Sequence, residues 1–104
     1  MTKEKGSFST APADSKAVPV LLTTSTCQYF WSFDDKNRGF HTYDSMAKLK
    51  PDFFVHTGDY LYYDKPGPLA KNMEKARHKW HAMNGWPSLR DFFKKVPIFM
   101  IKDD

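Results

Sequence analysis

Three apolar runs separated by two stretches of helical periodicity constrain this chain more than any other feature. The first run is VPVLLTTSTCQ (18–28), the second starts at Phe53, Phe54 and Val55, and the third is VPIFMIKDD (96–104). Their β-branched and continuous apolar character suits buried strands. Between the first and second, Tyr43, Met46, Ala47 and Leu49 fall at helical spacing ahead of Pro51. Between the second and third, Leu69, Met73, Ala76, Trp80 and Met83 recur in the same way. Pro68 suits the first turn of that helix and Asn84-Gly85 its end. Ser88 with Asp91 reads as a capping box for a further short helix, SLRDFFKK. The order strand, helix, strand, helix, strand predicts an α/β fold, βαβαβ, with parallel strands and helices packed on the faces of the sheet.

The remaining segments fit that frame. Residues 1–17 are rich in Ser, Thr, Lys, Pro and Ala and read as a flexible leader, leaving 18–104 as the folded portion. WSFDDKNRGF (31–40) is a loop and LYYDKPGP (61–68) a turn-rich connector. With 40% hydrophobic and 16% aromatic residues the chain can build a core. Its formal charge of +4 is spread among mixed acids and bases, so no clustered basic face signals nucleic acid. No apolar run approaches the roughly 20 residues of a membrane helix. The N-terminus has no apolar signal-peptide core, and the single cysteine, Cys27, excludes an intrachain disulfide.

In open parallel sheets, ligands bind beyond the carboxyl ends of the strands. Each of the three strands ends here in a residue able to bind metal: Cys27, then Asp59, then Asp103 and Asp104. Alone, each ending is weak, because a lone Cys is ordinarily a small hydrophobe and an Asp ordinarily a turn-former. Convergence at one crevice changes the balance. A thiolate, carboxylates and a phenolate brought together need a cation between them. Ferric iron accepts phenolate and carboxylate donors, and Tyr62 follows Asp59 by three residues across a tight loop. Gly58 permits the bend that such a loop requires.

Four pieces of the sequence together resemble the alkaline phosphatase D (PhoD-like) family of metallophosphoesterases. PDFFVHTGDYLYYD is similar to that family's Gly-Asp-x-x-Tyr motif, and STCQ to its Ser-Cys or Thr-Cys motif. AKNMEKARHKWHAM followed by WPSLRDFFKKVPIFMIKDD resembles the approach to its Asp-Asp-His motif. The resemblance implies the first portion of a calcineurin-like α-β-β-α sandwich and hydrolysis of phosphate mono- or diesters. It implies that Cys27 and Tyr62 ligate ferric iron and that Asp59 bridges metals. It assigns Asp104, in preference to Asp103, to a neighbouring calcium. Cys27-Gln28-Tyr29 stands where ordinary binuclear phosphoesterases carry Asp-x-His, which sets the chain apart from purple acid phosphatases. Such enzymes attack phosphorus in line with a water made acidic by the cations. The family is typically exported. Because its histidine-bearing motifs would follow Asp104, the chain reads as an N-terminal portion of a longer enzyme, expected by itself to be poorly stable and inactive.

Other residues carry lesser expectations. His56 reads as support for the Gly-Asp loop. His78 and His81, with Glu74, read as a solvated helix side, and His41 as a surface residue. Arg77 is open to an ion pair or a substrate phosphate. Tyr60 and Tyr63 are expected to pack, and Trp80, Trp86 and Tyr63 to line a core or groove. A competing reading is a non-catalytic module in which aromatics and bases bind nucleic acid or another polyanion. It leaves the acids at the strand ends unexplained. An inactive homologue that keeps the fold is a third.

Overall fold

The computed structural model describes residues 3–64 and 69–102. At its centre is β2 (Phe53–His56), flanked on one side by β1 (Leu22–Ser25) and on the other by β3 (Ile98–Met100), all parallel. The crossovers are α1 (His41–Lys48) and the pair α2 (Met73–Asn84) and α3 (Pro87–Phe93). This is the α/β arrangement that the alternation of runs predicts, with shorter strands. In β1 the pairing register is Leu22 to Phe53 through Ser25 to His56, and in β3 it is Ile98 to Phe54 through Met100 to His56.

Alternation along each strand divides the sheet into two unequal faces. Phe54 and His56 point to one face and are fully buried. Above them, Tyr43 of α1 and Phe92 of α3 meet Phe54 edge-on, with ring centroids 5.7 and 5.4 Å away. Met83, Leu89 and Val96 complete this core, and Trp80 of α2 stacks on Tyr60 at 5.2 Å. The other face carries Leu22, Phe53, Val55 and Phe99, with Leu22 49% and Phe99 60% exposed. Both α1 and α3 therefore lie over one face, where helices on both faces were expected. With strand order β1-β2-β3 both crossovers advance in the same direction, so crossovers of one hand fall on one side.

Several local expectations are corrected. The first run is not a buried strand from residue 18. Val18, Val20 and Leu21 are exposed and β1 is a half-exposed edge strand, because only its neighbour lies in the middle of the sheet. In α1 Tyr43 and Met46 are buried, but Ala47 and Leu49 face outward. Pro68 lies outside the described residues, and α2 starts four residues after Leu69, where the Asn72 side chain accepts the Lys75 N–H at 2.9 Å. Leu69 and Met73 are consequently exposed, and the buried stripe holds only from Ala76 onward. Gly85 caps the end of that helix, as the Asn84-Gly85 pair suggests.

The capping box is also replaced. Pro87 occupies the first turn of α3 and Trp86 is its N-cap, without a side-chain hydrogen bond. Proline in the first turn loses an N–H that would be unpaired anyway, and its fixed φ suits the helix. Ser88 is therefore buried inside the helix, and its N–H donates to the carbonyl of Arg38 at 3.1 Å. Asp91 instead accepts from Arg38, which also holds Asp44 of α1 with two contacts of 2.9 and 3.0 Å. This fork ties the loop before α1 to α3. Beneath it Gly39 has φ 97°, and a Cβ there would lie 2.6 Å from the Trp86 ring.

Candidate functional site

The carboxyl ends of β1 and β2 continue side by side beyond the regular strands. Thr57 N–H donates to Ser25 O at 2.9 Å, Cys27 N–H to Gly58 O at 3.0 Å, and Gln28 N–H to Asp59 O at 2.9 Å. These bonds fix the two loops to each other through the residues that the sequence singles out. Gly58 has φ 128°, the conformation for which a glycine was expected. Cys27 at φ 47° and Asp59 at φ 52° are also left-handed, although neither is glycine. Such backbone costs of order 1–3 kcal/mol per residue and concentrates at functional sites. No sequence signal announced it.

The result is a convergence of three acidic side chains. Asp59 Oδ2 receives the Cys27 thiol at 3.6 Å and the Tyr62 hydroxyl at 3.4 Å. The Thr26 hydroxyl lies 3.4 Å from Cys27 Sγ and donates to Gly58 O at 3.3 Å. Withdrawal from water pushes the Tyr62 phenol up to about 12, and the Cys27 thiol and Asp59 carboxylate add to the shift. The ring of Tyr62 meets Tyr29 edge-on at 6.3 Å, and its carbonyl accepts from Lys79 Nζ of α2 at 3.2 Å. Cys27 is exposed, so the convergence lies open at the mouth of the sheet.

Under this surface is a buried polar layer that the sequence reading missed in part. Gln28 is buried, and its Oε1 accepts from Tyr43 of α1 at 2.5 Å. Burial pushes the Tyr43 hydroxyl well above the ordinary phenol value. Gln28 was singled out only as the neighbour of Cys27; its partner lies fifteen residues away on another element, beyond the reach of local spacing. Tyr60 is buried as expected and donates to Asn84 Oδ1 at the end of α2. Tyr63 does not pack into the core; it is 44% exposed and accepts from Trp80 Nε1 at 2.8 Å. His56 is buried, and its Nδ1 accepts the Gly58 N–H at 3.3 Å, the loop-supporting contact expected of it.

Cys27, Asp59 and Tyr62 are therefore brought together, whereas Asp103 and Asp104 lie outside the described residues. His78 and His81 are exposed on α2, and His41 is exposed at the start of α1. Among the described residues no group of three or more His, Cys, Asp or Glu gathers; the third member of the convergence is a phenol. No helix among them is long and apolar enough to cross a membrane.

This cluster lies beyond the carboxyl ends of adjacent parallel strands, where open α/β sheets generally bind ligands. The family model of PhoD-like phosphatases matches residues 21–104, and the chain belongs to that family. No match was found among curated proteins or among solved structures.

Proposed function

We propose that this chain carries part of the centre of a metal-dependent phosphoric ester hydrolase acting on phosphate mono- or diesters. The observation that carries this reading is the meeting of a thiol, a carboxylate and a phenol at Asp59 Oδ2, held by two left-handed residues. The donor set fits a cation. The thiol and the phenol meet the carboxylate at 3.6 and 3.4 Å, and both the thiol and the carboxylate hold the Tyr62 phenol back from ionising. A multivalent cation reverses that effect, because it favours the charged form of every one of them.

In this reading Cys27, Asp59 and Tyr62 would hold ferric iron, and Asp59 would also serve a second ion, calcium. Asp104, in preference to Asp103, is assigned to that second ion by family resemblance alone. When bound, the ions supply charge to offset the phosphoryl oxygens and lower the pKa of water. The chain's own contribution is placement. The Cys27–Gly58 and Gln28–Asp59 backbone bonds fix thiol against carboxylate, and the three-residue step lets Tyr62 turn back onto Asp59. Lys79, bonded to the Tyr62 carbonyl, anchors the same loop to α2. Preorganisation of this kind is where such sites obtain most of their effect.

The test is the metal-loaded full-length protein assayed on bis(p-nitrophenyl) phosphate and p-nitrophenyl phosphate, with iron and calcium content measured in parallel. Asp59→Asn is expected to lower hydrolysis by about 100-fold or more, beyond what changes around a metal's outer shell produce. Bound iron is expected to fall in Cys27→Ser and Tyr62→Phe. Hydrolysis that survives Asp59→Asn unchanged would overturn the assignment. A protein that binds neither ion and hydrolyses neither ester would leave an inactive homologue.

A further inference from the structure

The geometry points to His56 as a positioning residue that sets the Gly58–Asp59 turn through its Nδ1, in addition to filling the core. The inference rests on the proposed metal-binding role of Asp59. His56 is the last residue of the central strand, and its backbone is held on both sides. It pairs with Ser25 of β1, and its carbonyl accepts the Ile101 N–H at 2.9 Å beyond β3. The ring is fully buried, edge-on to Tyr60 at 5.1 Å and to Phe54 at 6.1 Å. From this fixed base Nδ1 reaches forward two residues and accepts the Gly58 N–H at 3.3 Å.

That contact assigns the tautomer. An Nδ1 that accepts cannot carry the proton, so the proton is on Nε2. Nε2 is buried without a hydrogen-bond partner. A buried donor left unpaired is costly, and an apolar side chain of similar size would fill the same space without it. Core packing therefore gives no reason for a histidine here. The Nδ1 bond does. It orients the Gly58 peptide at φ 128°, and the next residue, Asp59, leaves that peptide in the left-handed conformation that aims Oδ2 at Cys27 and Tyr62. Gln28 has the corresponding place after Cys27, buried and held by Tyr43, so each strained loop is secured from below by one buried polar side chain.

The experiment compares the full-length wild type with its His56→Asn and His56→Leu variants in a titration with cobalt(II), read by the thiolate-to-cobalt absorption, with folding followed by circular dichroism. Asparagine presents an oxygen close to the place of Nδ1 and readily accepts a backbone N–H two residues on, whereas leucine fills space only. His56→Leu is expected to weaken cobalt binding about 10–100-fold and His56→Asn to stay within about threefold of wild type. Equal affinity of wild type and a folded His56→Leu protein overturns the inference, and so does an Asn variant as weak as the Leu variant. Should the Leu variant not fold, ¹⁵N NMR of wild type decides. A bare Nδ1, a protonated Nε2 and a slowly exchanging Gly58 amide support the assignment, and the opposite tautomer overturns it. Failure of wild type to bind cobalt would count against the proposed function, while the tautomer would remain readable.

Discussion

The two faces of the sheet are built by the same strands and meet different fates. On one, Phe54 and His56 are fully buried beneath α1 and α3; on the other, Leu22 and Phe99 are 49% and 60% exposed, with Phe53 and Val55 half-buried between them. Phe53 and Phe54 are neighbours with the same side chain, so composition does not distinguish them. Position relative to the crossovers does. The packed face also underlies the candidate site, because His56 and Gln28 join its core to the two loops. Among the described residues the open face has no such link. The difference teaches that stability and site geometry draw here on one shared layer of side chains.

The sharpest way to break this comparison is truncation of one ring on each face. Phe54→Ala is expected to destabilise the fold by about 3–5 kcal/mol, the range for emptying a buried aromatic site. Chemical denaturation with matched m-values would measure it. A smaller effect separates the faces by pH. Burial holds the His56 imidazole below its ordinary value of 6.5. The unfolded chain then binds the proton more readily, so the stability contributed by neutral His56 is complete above about pH 6.5 and declines as pH falls toward the folded value. The slope is at most about 1.4 kcal/mol per pH unit, and His56→Asn is expected to flatten it in denaturation curves taken from pH 7 downward. The smallest effect belongs to the open face. Phe99→Ala is expected to change stability by less than about 1 kcal/mol, since a half-exposed ring loses little on truncation. A loss as large as that of Phe54→Ala would show that the open face is packed in solution.

Much of this arrangement was legible in the sequence. Alternating apolar runs and helical periodicity led to the parallel sheet, and the strand-end rule led to Cys27 and Asp59, which the structure places 3.6 Å apart. Gly58 announced its turn because only glycine accepts φ 128° without strain. Two of the errors share one cause. The strand from residue 18 and the Ser88–Asp91 capping box were local readings, and each was overridden by a distant partner or an uncovered position, whereas the start of α2 is set locally by the Asn72 cap. Asp91 is taken by Arg38, 53 residues away, and β1 is an edge. Gln28 and the left-handed residues were illegible for the same reason, since their conformations arise only when β1 and β2 lie side by side.

The left-handed backbone at Cys27 and Asp59 has an evolutionary consequence. Glycine at either position would relax the chain, and asparagine would do so in part, so selection for folding alone would move both residues away from cysteine and aspartate. A library of variants at 27 and 59 sorted only for resistance to proteolysis is expected to enrich glycine and asparagine at both. The same library sorted for retained metal is expected to return the original pair. Divergence of the two sorts would mean that the residues at 27 and 59 are set by their side chains rather than by the preferences of their backbones.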